Sequence, residues 1–368
     1  MNEFEYITFR IGDLAQDSVL LKFQNSYRFN PDTDIVAKRE GPGNKTRLFN
    51  NKWQLNIGSL IRNSDGTKIE NAVSRLPIKM LDHSWEPIEP KLDSVFWEAI
   101  ADDCKQEWGC DKLLILNSEH SSEINKLETQ VFKPVHWFSH GYLCSEHWYR
   151  NYKDIKLVTE YRPIDYAWVC TNRLIDSKKV YRIQFLNMLD ISRGAYSLPE
   201  RDPVSNKSPN EIYSLNTVTS NQFDDGSNSS AWIDFRTPTP ITTSFLHVVT
   251  ETVIDRVHLT EKILKPIVLK QPFVLVGGAG CLQYLQDYGF TTFNRWWSED
   301  YDNIQDPIQR MQAVAEIVNW IGKQDRLESL RNQMKEVLDY NYHWFYNGFS
   351  SRCWDELVKN VAHHQTHK

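Results

Sequence analysis

The chain has 368 residues, a formal net charge of -6, 40% hydrophobic and 24% charged residues, which excludes a wholly disordered chain. At roughly 100–200 residues per domain the length points to two domains. No apolar run approaches the ~20 residues a bilayer span needs, and MNEFEYITFR carries no basic-then-apolar leader, so the expectation is a cytoplasmic protein with no membrane span.

In chain order, residues 28–52 are turn-rich and basic (Lys38, Arg39, then GPGNKTR ending at Arg47) and read as an exposed loop. A helix is predicted over Leu92–Glu107, with Val95, Phe96, Ala99 and Ile100 on its apolar face. The continuous apolar run inside Lys112–Asn117 suits a central strand covered on both sides, with Glu119 and His120 just beyond its C-terminal end. Val135–Phe138 reads as a short strand and Glu146–Asn151 as the start of a short helix. A charged stretch with Pro163 marks the boundary between domains 1–162 and 163–368.

The second half restarts the pattern. Ala167–Cys170 is a predicted strand and Lys178–Asp190 a helix, followed by a polar excursion over 199–230. Phe245–Thr250 is a strand. Thr260 caps a helix that runs to Lys270, kinked by Pro266. Pro272–Val276 is a strand that enters the turn Gly277–Gly280, and the helix Cys281–Tyr288 stops at Gly289. Asp306 and Pro307 open a helix to Ile321, and two further helices follow from Asp325 to His363. Strand–helix alternation in both halves favours two doubly wound α/β domains with a substrate cleft between them.

Several residues could carry chemistry. Glu251 closes a strand; Thr260, Glu261 and Lys262 open a helix, where an anionic ligand between the ammonium and the helix end would be favoured. Asn172 and Arg173 follow a strand, and Arg182 lies on the next helix, where a guanidinium fork could meet phosphate. Gly277 begins a glycine turn that lacks the GxGxxG and GxxxxGK[ST] spacings, so it supports neither a dinucleotide fingerprint nor a P-loop. Glu119 is a candidate general base. The triplets Asp32-Thr33-Asp34 and Asp300-Tyr301-Asp302 could chelate a divalent metal but are too short to be specific, and His136, His140 and His147 read as structural histidines. Six scattered cysteines without a CxxC pair make neither a disulfide framework nor a zinc site.

HLTEKILKPI (258–267), QPFVLVG (271–277), YLQDYGFTTF (284–293) and EDYD (299–302), completed by Ile304, Asp306, Pro307 and Arg310, resemble a family of glycosyltransferase-like proteins of tailed phages. HWFSHGY (136–142), Trp148-Tyr149-Arg150, Asn172-Arg173 and Tyr181-Arg182 are similar to that family as well. More distantly, the order of features resembles the α1,3-fucosyltransferases. The resemblance implies a glycosyltransferase-B-like architecture, two Rossmann-like domains facing a cleft. It implies a nucleotide-sugar donor on the C-terminal domain held through Asn172, Arg182, Thr260, Glu261 and Lys262, with Arg173, Glu251 and Gly277 beside them, and Glu119 as the base of an inverting transfer. No cofactor and no essential metal are expected. In a phage setting the acceptors include a hydroxylated or hydroxymethylated pyrimidine of DNA, with the loop Lys38–Arg47 on its phosphates; polysaccharide and protein acceptors, and a non-catalytic phage module that keeps the fold, stand as alternatives.

Overall fold

The computed structural model describes residues 111–153, 161–172, 178–199 and 240–366 as continuous pieces, with 174–175, 201, 206–208 and 211 between them. Before these it describes 5–8, 36–37, 61–62, 79–82, 87–88, 94–95, 97–98, 101–102 and 105. The basic loop Lys38–Arg47, the triplet at 32–34, Arg173 and most of the excursion 199–230 lie outside the described residues. The chain is mixed α/β with parallel sheets, and it divides into two compact units, Met1–Ser139 with Cys353–Lys368, and His140–Arg352. The chain crosses between the units at 139/140 and again at 352/353, while the sequence predicts a single boundary at 162/163.

The first unit carries a four-stranded parallel sheet. Its strands are β1 (Glu5–Thr8), β4 (Lys79–Asp82), β5 (Leu113–Asn117) and β6 (Phe132–His136), adjacent in that order, with the antiparallel pair β2 (Val36–Ala37) and β3 (Ile61–Arg62) set between β1 and β4 in sequence. Leu114, Ile115 and Leu116 of β5 are all buried, as a continuous apolar run predicts for a strand covered on both faces. β6 starts at Phe132, ahead of the predicted Val135, and pairs Asn117 with His136 at the C-terminal edge. The predicted helix at 92–107 is helical at its described positions, with Trp97 and Ala101 buried and Val95, expected on the apolar face, 65% exposed; Phe96, Ala99 and Ile100 lie outside the described residues.

The second unit carries the parallel sheet β10–β9–β7–β8, built from β7 (Tyr166–Thr171), β8 (Gly194–Ser197), β9 (Ser244–Thr250) and β10 (Phe273–Val276). In chain order the strands run outward from β7 to β8, return to β9 on the other side, and continue to β10. The order therefore reverses between β7 and β9, and the C-terminal ends of strands beside such a reversal are where open α/β sheets bind ligands. All residues of β8, β9 and β10 are buried. The helix Pro307–Gly322 packs on β7, β9 and β10 and on the helix Tyr181–Leu186, while Glu261–Val268 and Leu327–Trp344 pack on one another and on β9.

β8 has no counterpart among the predicted elements. Its Gly194 stands opposite Trp168 of β7, and a Cβ there would lie 2.1 Å from the indole, so the strand begins with the one residue that admits the tryptophan. Other elements fall close to expectation. Asp306 caps Pro307–Gly322 with Pro307 in its first turn, and Thr260 caps Glu261–Val268. The predicted helix Lys178–Asp190 is trimmed to Tyr181–Leu186. The segment predicted to start a short helix at Glu146 is helical from Ser139, and its turn opens so that the Tyr149 N–H reaches back to the Cys144 carbonyl at 2.8 Å. No helix among the described residues is long and apolar enough to cross a membrane.

Candidate functional site

The reversal between β7 and β9 gathers most of the residues singled out in the second half. Thr250 ends β9 and donates its hydroxyl to the Asn172 side-chain carbonyl at 2.9 Å. Asn172, just past β7, takes its own position from the Ser197 carbonyl and hydroxyl, so it ties β7, β8 and β9 together at their C-terminal edge. Arg182 is buried. Its guanidinium donates to the carbonyls of Leu174 (2.9 Å), Thr250 (3.4 Å) and Glu251 (3.2 Å) and to the Tyr181 hydroxyl, which itself donates to the Glu251 carbonyl. Expected as a phosphate fork, Arg182 is a fastener for the end of β9: its planar donors satisfy carbonyls that a sheet edge leaves open.

Glu251 is fully buried. One carboxylate oxygen accepts the Thr260 N–H at 3.2 Å and the other the Thr260 hydroxyl at 2.6 Å. Burial raises its carboxyl above the ordinary range, opposed by the Lys262 ammonium and the Thr260 donors. Thr260 in turn receives the Lys262 Nζ at 2.9 Å on its hydroxyl oxygen. Glu251 therefore sets the cap residue that starts the next helix.

From that cap project Glu261 and Lys262. Their side chains are 19% and 32% exposed, and the Lys262 Nζ lies 3.1 Å from Oε1 of Glu261 and 3.3 Å from the Thr252 hydroxyl. Burial works to raise the Glu261 carboxyl, but the Lys262 ammonium and then His140 outweigh it and hold it down at about 2. Burial likewise works to lower the Lys262 ammonium, yet Glu261 and Glu251 carry it above its ordinary value. Both groups are therefore ionised at neutral pH: a salt-bridged pair at a helix start, open to solvent on one side. Around it stand His140, with Nε2 3.9 Å from Oε2 of Glu261, and His258, whose ring meets that of His140 edge-on. Tyr149 donates its hydroxyl to the Glu261 carbonyl at 3.4 Å.

Gly277 offers its carbonyl to Arg310 Nε at 2.9 Å, and the same buried arginine binds the carbonyls of Gln305, Ile304 and Ile254. Gly278 is the position of close approach, since a Cβ there would sit 2.1 Å from the Arg256 carbonyl oxygen. The turn is thus packed against the chain's own backbone. The following helix is capped from outside: Asp302 accepts the N–H groups of Leu282 and Gln283 at 3.0 and 3.1 Å. Glu299 accepts the Thr292 hydroxyl and the Phe293 N–H, and Asp300 the Ser298 hydroxyl. The triplet at 300–302, entertained as a metal ligand set, closes turns instead. Among the described residues no group of His, Cys, Asp and Glu converges as a metal site.

In the first unit Glu119 is fully buried. Oε2 accepts the Ile88 N–H at 2.8 Å, Oε1 accepts the Ser121 hydroxyl, and its own N–H goes to the Asn117 side chain at 2.7 Å. The expected solvent-facing carboxylate is thus enclosed, because two loops spend their donors on it. His120 beside it is exposed and its ring lies 5.7 Å from that of His136.

Two residues the sequence reading did not place in the site belong to its frame, Tyr181 and His140. The first sits beside Arg182; the second reads as a structural histidine, because its partner Glu261 lies on a helix distant in sequence. Taken together these features define an α/β protein with an acid–lysine pair at the strand-order reversal of its second sheet. No family model matches the chain, and no curated protein matches it.

Proposed function

We propose that the chain is a nucleotide-sugar-dependent glycosyltransferase of glycosyltransferase-B type, with the donor on the second unit and the acceptor on the first. One observation carries the reading: Lys262 and Glu261, both charged and partly open to solvent, project from a capped helix start beside the reversal of a parallel sheet. In this reading Lys262 and the first N–H groups of its helix meet the diphosphate, and Glu261 accepts from ribose hydroxyls. Asn172, Arg182, Glu251 and Thr260 hold that end of the sheet in shape, and Gly277 with Arg310 holds the neighbouring turn. The acceptor oxygen attacks the anomeric carbon, the bond to the diphosphate breaks, and the nucleoside diphosphate leaves with the electron pair, its growing charge offset by Lys262.

For the acceptor proton we propose Glu119, which takes it once the Ser121 hydroxyl gives up Oε1. Glu119→Gln keeps the shape and lets the amide face Ser121, so the fold is retained while basicity is lost. The expected outcome is a protein of unchanged melting temperature that binds donor and transfers no sugar; wild-type turnover would leave Glu119 a purely structural carboxylate. The broader test is a thermal-shift panel of UDP, GDP, CDP, ADP and dTDP, with and without a divalent metal. A nucleotide at ~100 times its Kd stabilises the native state by about 2.7 kcal/mol. One clear responder supports the transferase reading and names its donor class, and silence from all five contradicts it. For the acceptor we propose a hydroxylated or hydroxymethylated pyrimidine of DNA, checked by transfer of labelled sugar to such an oligonucleotide.

A further inference from the structure

Glu261 is approached from two sides by groups of different kind. Oε1 faces the Lys262 ammonium at 3.1 Å, and Oε2 faces Nε2 of His140 at 3.9 Å. The first is a permanent cation; the second is a ring that carries charge only when protonated. The His140–Glu261 separation is too long for a hydrogen bond and within reach of an ion pair. His140 is buried, and its ring is packed edge-on against His258 at 5.9 Å between centroids.

Lys262 has the opposite character. Its side chain is 32% exposed, and besides Glu261 its ammonium donates to the Thr252 and Thr260 hydroxyls, neutral groups that an anion outcompetes. A diphosphate at this helix start draws the ammonium toward itself and strips Glu261 of its nearest positive charge. A carboxylate left beside an imidazole favours the imidazolium.

We propose that His140 is a positioning residue of the anion site: when a ligand's diphosphate engages Lys262, His140 takes a proton from solvent and holds Glu261 through Oε2, keeping that carboxylate aimed while its lysine is occupied. The inference rests on the diphosphate reading of the site and adds to it a proton coupled to binding. Lys262 stays charged. Burial, with help from His140, Lys262 and Arg256, holds the His258 ring well below its ordinary pKa, and burial holds the Tyr149 phenol well above its own. Glu251, on the far side of Lys262, is the competing proton acceptor, since burial already raises its carboxyl.

The test is calorimetric titration of the full chain with inorganic pyrophosphate near pH 7, in buffers of different ionisation enthalpy, for the wild type and His140→Gln. The ligand's own change of protonation is common to both proteins, so the difference between them is the His140 proton. The expected result is that His140→Gln still binds pyrophosphate and takes up close to one proton less than the wild type. Equal proton counts in the two proteins overturn the proposal and hand the proton to Glu251. Absence of any pyrophosphate binding to the wild type overturns the anion site itself, and this proposal with it. Should His140→Gln fail to fold, NMR of the wild-type His140 ring, free and saturated with pyrophosphate, decides the matter: a change from neutral ring to imidazolium supports the proposal, and an unchanged ring refutes it.

Discussion

Each unit ends a parallel strand with a carboxylate and treats it in the same way. Glu119 beyond β5 and Glu251 beyond β9 are both fully buried, and each takes one backbone N–H and one hydroxyl: Ile88 and Ser121 for the first, Thr260 alone for the second. The difference lies in where the fastened loop stands. Past Glu251 the fastened residue is itself a helix cap, and it sets a charged, half-open pair, Glu261 and Lys262, at the reversal of the strand order. Past Glu119 the fastened Ser121 is also a cap, of the 3-10 helix Ser122–Leu127, and that helix carries the part-exposed pair Glu123 and Lys126 beside the exposed His120. A buried strand-end acid thus anchors a capped helix start with an acid–lysine pair in both units, and the place of the pair, at a reversal of the strand order, distinguishes the second.

The comparison can be broken where the anchors are cut. Glu251→Ala leaves the Thr260 N–H and hydroxyl without their buried acceptor and removes a buried negative charge near the Lys262 ammonium, and the expected loss is about 3 kcal/mol of stability. Glu119→Ala strands one N–H and one hydroxyl and no cation, for about 2 kcal/mol. Chemical denaturation of the two variants measures both; a larger loss at Glu119 would reverse the ranking. Gly278→Ala, beside the second site, drives a Cβ into the Arg256 carbonyl, and backbone cannot yield as a side chain can. About 2 kcal/mol is expected from the forced shift, read from the same denaturation curves.

Acid sharpens the comparison in both sheets at once. Burial, with His120 nearby, lowers the His136 imidazole at the end of β6 to about 4, and burial with Lys265 nearby lowers that of His247 within β9 to about 3. Both folded-state values lie below the ordinary 6.5, so between these values the unfolded chain binds more protons. Their contribution is present in full above pH 6.5 and is lost as pH falls toward 4 and 3, by up to about 1.4 kcal/mol per pH unit for each. His258 acts in the same direction, while Glu251, raised by burial, acts against it. Melting temperatures recorded from pH 7 down to 4 should fall; a flat profile would contradict the buried neutral histidines.

What the sequence made legible follows from the range of each interaction. Strands β5 and β10 are continuous apolar runs, β9 is apolar but for His247 and its ends, and caps such as Thr260 and Asp306 sit two or three residues from what they bind, so all could be read locally. β8 could not: Gly-Ala-Tyr-Ser carries little strand signal, and only its partner Trp168 explains the glycine. The same limit decided the site. Glu261 and Lys262 announce themselves at a helix start. The work of Arg182, Arg310, Asp302 and Glu119 is done on backbone groups far along the chain, and a guanidinium or carboxylate gives no local sign of whether it will meet a ligand or a carbonyl. His140 was hidden for that reason too, since its partner Glu261 lies across the fold of the second unit.

The central claim is that Lys262, held ready by Glu251, Thr260 and Glu261, meets a nucleoside diphosphate. The most direct measurement is calorimetric titration of the nucleoside diphosphate that most stabilises the wild type into the wild type and Lys262→Ala. The account predicts that removing the ammonium weakens binding by about tenfold or more, some 1.4 kcal/mol or above, with the variant still folded. Equal affinity in the two proteins would contradict it and remove the phosphate role from this site.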